Sequence, residues 1–265
     1  MNRHLGIWYI NIPSKVLWTA TRNSPLTDLY GKLAIGTNGN LVLLNRNASS
    51  IWSLNVSTTP KTRVTQLLDS GNLVLKENTS SVGTYVWQSF DNPFDTLLLS
   101  MKISWNINTG SERHLTSRKS IDDPSTSDFS YKIDMKGLPQ LVVVTGASAI
   151  KYQTRPRNGV RFSGLPAPAD SIFNTVMELH EHEWYYNVAA SQLRLDQFGS
   201  LQRLVLNVGE AQDEMLYFHY QMIHVTIMDT VVLIVFVEIG IPYVSQGSLR
   251  GFKKNGNFLM EPVDA

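Results

Sequence analysis

The side chains best suited to metal chemistry are two histidines in the segment Glu178–Trp184, which reads ELHEHEW. A single residue separates His180 from His182, so on a strand they would lie on one face. Zinc proteases place their two histidines a helical turn apart in an HExxH segment, and that spacing is absent here. We therefore interpret the segment as a solvated edge or loop and predict no metal site.

Four aspartates could form paired carboxylates for hydrolysis. They are Asp91, Asp95, Asp122 and Asp123. Because Pro93 and Pro124 lie beside them, the better interpretation is that they cap turns through Asx hydrogen bonds. The sequence has no G-x-S-x-G elbow, no glycine-rich phosphate loop and no kinase signature. It therefore predicts a protein that is not an enzyme, with no catalytic residue and no cofactor.

Composition narrows the class of protein. The 265 residues are 43% hydrophobic and 17% charged, which suits a packed core of one large or two ordinary domains. The formal net charge is +1 and no Lys/Arg cluster is present, so no nucleic-acid partner is expected. Cysteine is absent, which excludes disulfides, thiolate nucleophiles and cysteine metal ligands.

An internal repeat organises the first hundred residues. The Gly-Asn-Leu-Val-Leu run that begins at Gly39 recurs 32 residues later at Gly71. Tryptophans recur at a similar period, with 34 residues from Trp18 to Trp52 and 35 from Trp52 to Trp87. One such unit is a small sheet that cannot bury its apolar face alone, whereas three units around one axis can. We predict that the three indole rings point to that axis and fill its centre.

Short apolar runs between Asn, Gly, Ser and Thr predict many short strands with tight turns over residues 1–110. Residues 111–127 are polar and charged and form a predicted boundary. Beyond them the repeat resumes at Lys136–Leu141 and at Phe198–Gln202, with 62 residues between Gly137 and Gly199, close to two periods. This predicts a second β-rich unit over residues 111–215.

These motifs resemble the bulb-type lectin domain and the S-locus glycoprotein region of plant S-domain (G-type lectin) receptor-like kinases and S-locus glycoproteins. The lectin motifs are LGIWY (Leu5–Tyr9), TRNSPL (Thr21–Leu26), NGNLVLLN (Asn38–Asn45), QLLDSGNLVL (Gln66–Leu75) and WQSFDNPFDTLL (Trp87–Leu98), and the later ones are LTSRKSIDDPSTSDFSY (Leu115–Tyr131) and RNGVRFSG (Arg157–Gly164). The resemblance implies an all-β fold of tandem threefold β-prism-like units. A bulb-type lectin domain would occupy 1–110, a second lectin-like domain 111–215, and an atypical apolar tail 216–265.

The resemblance also implies a candidate sugar site. Mannose-binding lectins of this type carry Gln-x-Asp-x-Asn-x-Val-x-Tyr on a strand, where amides and carboxylates bond sugar hydroxyls and valine packs on the ring. The first copy here aligns Asn38, Asn40 and Val42 with the three middle positions, and the second retains Asn72 and Val74. Gln, Asp and Tyr are replaced in both copies, and loss of convergent hydrogen bonds lowers discrimination steeply. We therefore prefer a role for the retained asparagines in the turn and strand start.

Three N-glycosylation sequons begin at Asn47, Asn55 and Asn78. The resemblance implies an extracellular or plasma-membrane location, where such sites are used, and membrane association follows from the resemblance alone. The segment MNRHLGIWYINIPSK has no seven-residue apolar core and no small-residue cleavage site, so we predict that it is not a signal peptide. The family's leader and first lectin strands are accordingly expected to be missing.

The tail, residues 216–265, differs from the rest of the chain in its apolar sequence. Tyr217–Val244 is strongly apolar but contains His224, Asp229 and Glu238, and its longest uninterrupted apolar run, Val231–Val237, is seven residues. A spanning helix needs about 20, so a buried strand is at least as good an interpretation. Ser248–Phe252 resembles part of the family's cysteine-containing segment. We hypothesise that residues 217–246 replace the family's EGF-like module through an altered exon or reading frame.

The resemblance implies that the chain functions as a non-catalytic recognition module. Such ectodomains act in pollen self-recognition or defence signalling. The partners would be a glycan or a small secreted protein, together with a second receptor in a homo- or heterodimer. A soluble mannose-type lectin and a degenerate fragment without function stay open as alternatives.

Overall fold

The computed structural model describes residues 2–9, 12–28, 30–56, 62–78, 84–146, 149–154, 156, 175–188, 192–207, 218–219, 222–226, 232–238, 251–254 and 257–260. Within these ranges the chain forms strands and turns, one 3-10 helix at Ser89–Asp91 and no α-helix. The predicted all-β class is confirmed.

The strands of the described residues follow one another in short segments. They are β1 (Arg3–Tyr9), β2 (Ile12–Thr19), β3 (Lys32–Ile35), β4 (Leu41–Leu44), β5 (Ser50–Ser53), β6 (Arg63–Leu67), β7 (Leu73–Glu77), β8 (Trp87–Gln88), β9 (Thr96–Leu97), β10 (Ile103–Asn106), β11 (Glu112–Arg113), β12 (Leu115–Arg118), β13 (Thr126–Asp134), β14 (Gln140–Thr145), β15 (Ala149–Gln153), β16 (Thr175–His180), β17 (Glu183–Val188), β18 (Gln192–Leu195), β19 (Leu201–Asn207), β20 (Phe218–His219), β21 (Met222–Thr226), β22 (Val232–Glu238), β23 (Gly251–Lys254) and β24 (Asn257–Met260).

The first compact unit comprises Met1–Phe90, Asp122–Pro124 and Thr230–Ala265. It contains three antiparallel sheets, in the orders β2-β1-β22, β3-β4-β5 and β23-β24-β6-β7-β8. We call them the first, second and third sheets. The apolar run of the tail forms β22, which pairs with β1 from Arg3↔Glu238 to Tyr9↔Val232. The strand interpretation of this run is therefore the one that the structure shows.

The three tryptophans form one cluster within this unit, in which Trp18 is buried and Trp52 and Trp87 are half-buried. Trp18, on β2, and Trp87, on β8, have ring centroids 6.0 Å apart, and Trp52, on β5, lies 6.3 Å from Trp87. Both pairs are edge-to-face, the arrangement that aromatic quadrupoles favour. Each sheet thus contributes one indole ring to a shared axis, as the repeat predicts. In the second sheet Leu41 and Leu43 are buried while Lys32 is exposed and Val42 is half-buried, so one face of this sheet points outward.

Four hairpins share one loop geometry. In each five-residue loop the first N–H donates to the last carbonyl, and the fourth N–H donates to the first carbonyl. The loops are 36–40, 45–49, 68–72 and 196–200, with positive φ at Gly39, Ala48, Gly71 and Gly199. This is the three-residue hairpin in which a left-handed residue closes the turn. The Gly-Asn-Leu-Val signal therefore predicts its turns correctly. Glycine is favoured in these turns because its position requires a positive φ.

The second unit comprises Asp91–Ile121 and Ser125–Asp229. It also has three sheets, in the orders β11-β10-β17-β16, β12-β13-β14-β15 and β20-β19-β18-β9, with β21 parallel to β19. Its core includes an edge-to-face pair of buried rings, Tyr131 and Tyr186, 6.3 Å apart. Burial raises the pKa of Tyr131 well above its ordinary value. The predicted domain limits at residues 110 and 215 stay a prediction.

Candidate ligand-binding faces

The first copy of the mannose-like pattern lies on the hairpin that joins β3 to β4. Asn38 is exposed at the turn, where its Oδ1 accepts the backbone N–H of Asn40 at 3.0 Å. Asn40 is only 6% exposed, and its Oδ1 accepts the backbone N–H of Val56 at 2.9 Å. Val42 is half-buried and points outward, since its neighbours Leu41 and Leu43 are buried. The two amide oxygens therefore hold backbone in this conformation.

The second copy is more deeply buried. Asn72 Oδ1 accepts the Ser89 hydroxyl at 3.2 Å and the Phe90 backbone N–H at 3.3 Å. Its Nδ2 donates to Gln88 Oε1 at 2.9 Å. Val74 is 0% exposed, so no sugar ring can pack on it in this conformation. Sugar binding at either copy stays a prediction, and the first copy is the one with an outward-facing valine.

A cluster that the sequence patterns missed lies at the other end of the same outward face. Arg46 stacks on Tyr30, with its Cζ 4.1 Å from the ring centroid. Asp28 accepts the backbone N–H of Tyr30 at 2.9 Å and that of Arg46 at 3.1 Å. Asp28 and Tyr30 are too far from Arg46 in sequence for the three residues to form a recognisable motif. The available signal was charge, because residues 1–68 contain seven Lys or Arg and one acidic residue.

The predicted glycosylation asparagines are all exposed. Asn47 lies in the β4–β5 hairpin, Asn55 follows β5 with a positive φ of 52°, and Asn78 follows β7. The serines or threonines of the second and third sequons lie outside the described residues. Exposure is the geometry that an attached glycan requires, and modification of these asparagines stays a prediction.

Asp95 differs from the sequence interpretation. Asp95 is 0% exposed, and its Oδ2 lies 2.5 Å from Arg118 Nε and 3.6 Å from Arg194 Nε. Its Oδ1 accepts the Thr96 hydroxyl at 2.8 Å. Turn capping is therefore the wrong interpretation for Asp95, because this carboxylate is the counter-ion of two buried arginines.

The two histidines lie at the β16–β17 hairpin, where both are exposed. Next to them the Tyr185 hydroxyl donates to Glu178 Oε2 at 2.6 Å, and this bond raises the pKa of Tyr185. Within the described ranges, no group of three His, Asp or Glu side chains is arranged to hold a metal ion. The part of the chain that the structure describes also contains no helix with the length and apolarity to cross a bilayer.

Three antiparallel sheets that each contribute one tryptophan to a shared cluster agree with the β-prism of lectins. Residues 15–119 match the family model described as D-mannose binding lectin. The fold and the matched family agree on the class of protein, which is a bulb-type lectin domain.

Curated relatives identify the larger group. The chain is 38% identical over 215 residues to an S-locus-specific glycoprotein of Brassica oleracea, a match that covers 77% of this chain and 49% of the glycoprotein. It is 38% identical over 211 residues to receptor-like serine/threonine-protein kinase SD1-8 of Arabidopsis thaliana, with 76% and 25% covered. A putative inactive G-type lectin S-receptor-like serine/threonine-protein kinase of Arabidopsis thaliana is 33% identical over 225 residues, with 81% and 41% covered.

The predicted resemblance is therefore confirmed: the chain is a homologue of S-locus glycoproteins and of the lectin-bearing part of G-type lectin S-receptor-like kinases. It spans about half the length of the first glycoprotein and a quarter of the length of the SD1-8 kinase.

Proposed function

We propose that this chain is a non-catalytic recognition module that binds a glycan or a small secreted protein, as the ligand-binding part of an S-domain ectodomain. The observation that carries the proposal is the tryptophan axis. Because Leu41 and Leu43 of the second sheet are buried, the opposite, outward face of that sheet is a surface available to a ligand. The match to a lectin family supports a sugar as one class of ligand.

A module of this kind needs only to bind its ligand and to hold it in one orientation. A ligand that lies on an outward sheet face meets side chains at alternate positions of each strand. Fixed amides and charges at the hairpins then supply directional hydrogen bonds. Binding would be transmitted by docking a second receptor, as a homo- or heterodimer, in pollen self-recognition or defence signalling. The exposed asparagines of the three sequons fit an extracellular or plasma-membrane setting.

A soluble mannose-type lectin is the second candidate, favoured by the description of the matched family. It is less well supported, because the side-chain amides of the retained asparagines already form hydrogen bonds within the protein. Asn72 uses both side-chain heteroatoms inside the protein, and Asn40 uses its oxygen. A sugar hydroxyl would have to replace bonds that already hold the hairpins.

A glycan array probed with the full chain tests the proposal, alongside its urea unfolding transition. We expect cooperative unfolding and saturable binding of at least one glycan class, or of a purified secreted protein from the same tissue. Mannose binding that is lost on Asn40→Ala would favour the mannose-type lectin. A chain that unfolds without cooperativity, or that folds and binds neither kind of ligand, would favour a fragment without function.

A further inference from the structure

Charge is distributed unevenly along the chain. Residues 1–68 carry seven Lys or Arg and the single acid Asp28, although the net charge of the whole chain is +1. Arg3 and Arg63 are buried, whereas Lys32 and Arg46 are exposed at the second sheet. Asp28 offsets part of this charge, and the cations that remain in excess raise the local concentration of anionic ligands.

The exposed arginine is held in a fixed place. Its guanidinium lies over the ring of Tyr30, which is 54% exposed. Asp28 bonds the backbone N–H groups of both residues, one with each carboxylate oxygen. The carboxylate therefore ties together the two segments that carry the stacked pair. Stacking orients the plane of a guanidinium while its N–H donors stay available to a ligand.

The neighbouring strands extend this cluster into a surface. Lys32 pairs with Leu44, and Ala34 pairs with Val42, in the β3–β4 register. These side chains point outward, because Leu41 and Leu43 of the same strand are buried. Leu44 and Val42 are half-buried. Lys32, Val42 and Leu44 thus lie on one side of the second sheet, and the stacked pair of Tyr30 and Arg46 adjoins the end of that sheet opposite the 36–40 hairpin.

We infer that this surface, formed by Tyr30, Lys32, Leu44 and Arg46, binds the carboxylate-bearing sugar of an acidic oligosaccharide. A guanidinium grips a carboxylate through two parallel N–H···O bonds, the strongest type of polar contact available here. The second cation adds attraction, and the C–H face of a pyranose can pack on Leu44 and the exposed ring. The inference rests on the proposed function, since it names the ligand class of a recognition module with a lectin fold.

The test uses the full chain with Asn47→Gln, so that a glycan beside Arg46 cannot cover the surface. Isothermal titration compares α-1,4-linked tetragalacturonate with its fully methyl-esterified form, mannotetraose and a tetraglutamate peptide. We expect tetragalacturonate to bind at least about tenfold more tightly than the ester, because esterification removes the charge-assisted pair. The tetraglutamate should bind more weakly than tetragalacturonate, because it has no pyranose ring.

Variants in the same background locate the site. Arg46→Gln and Tyr30→Ala should each weaken tetragalacturonate binding by about tenfold. Lys136→Gln is the matched control, because Lys136 is an exposed cation of the second unit. It should change affinity by less than about twofold, as expected for an exposed charge that is not part of the proposed site. Unchanged unfolding transitions show that each variant is folded.

Several results would overturn the inference. They are equal binding of the ester, tighter binding of tetraglutamate, an equal loss with Lys136→Gln, or no tetragalacturonate binding by the folded chain. If the folded chain binds a neutral glycan or a secreted protein but not tetragalacturonate, the inference fails and the proposed function stands. If it binds none of these ligands, both fail.

Discussion

At the scale of single residues, the retained asparagines of the lectin pattern have become structural. Asn72 bonds three groups around the start of the 3-10 helix at Ser89–Asp91, and its carbonyl closes the 68–72 hairpin. Asn38 bonds only one backbone N–H from an exposed position. The asparagine side chain is therefore expected to contribute much more to stability at Asn72 than at Asn38.

Substitution of Asn72 by alanine should lower the free energy of unfolding by about 2–3 kcal/mol, because it leaves buried donors without acceptors. The control Asn38→Ala should cost about 0.5–1 kcal/mol, since water can replace its single bond. Urea denaturation of both variants measures the difference. Equal losses would contradict the assignment of Asn72 as the buried anchor.

A second residue-scale prediction concerns His4, a buried residue of β1 whose Nδ1 lies 2.7 Å from the Thr21 carbonyl oxygen. Desolvation by burial lowers the pKa of His4 below its ordinary value of 6.5. The unfolded chain therefore takes up a proton at higher pH than the folded chain. Stability contributed by neutral His4 is present above about pH 6.5 and is lost as pH falls towards the folded-state pKa.

The variant His4→Gln should flatten the pH dependence of the unfolding free energy below pH 6.5, measured by urea titration at several pH values. His114→Gln is the companion variant, because burial also lowers the pKa of His114, in the second unit. A slope that stays unchanged in both variants would show that other groups dominate the acid sensitivity.

At the scale of elements, the shared hairpin loop explains why glycine recurs in the repeat. Three of the four loops place glycine at the left-handed position, and the 45–49 loop has Ala48 there with φ of 58°. A side chain in this region costs about 1–2 kcal/mol. The recurrence of glycine in the repeat is thus explained by backbone conformation.

Replacing Ala48 by glycine should raise the unfolding free energy by about 0.5–1 kcal/mol, because relief of strain exceeds the added chain entropy. The opposite change, Gly199→Ala, should cost more than the strain alone. Its new Cβ would lie 2.5 Å from Phe129 Cδ1. Thermal unfolding of the two variants tests the pair. A destabilised Ala48→Gly protein would contradict the common loop geometry.

At the scale of the whole molecule, each unit is a set of three sheets. In the first unit the sheets converge on aromatic rings, and Trp87 is the ring that contacts both of the others. In the second unit a buried Tyr131–Tyr186 pair lies in the core. Packing around such rings, more than any single strand, makes three small sheets into one folded unit.

Removal of the Trp87 ring in Trp87→Ala should destabilise the first unit by about 2–3 kcal/mol, less than for a fully buried ring, because Trp87 is half-buried. Trp87→Phe should cost less, because a smaller ring still fills part of the space. Circular dichroism in the near ultraviolet should lose the signal of coupled indoles in both variants. A Trp87→Ala protein with wild-type stability would contradict the axial role of this ring.

The sequence by itself determined the all-β class, the left-handed hairpin glycines and the gathering of three tryptophans. These features depend on local backbone preference and on a repeat whose apolar face must be buried, and both are written in adjacent residues. Tertiary structure alone decided that Asp95 neutralises Arg118, that Val74 is covered, and that Arg46 stacks on Tyr30. Those contacts involve residues far apart in sequence, so their energies depend on distances that no local pattern specifies.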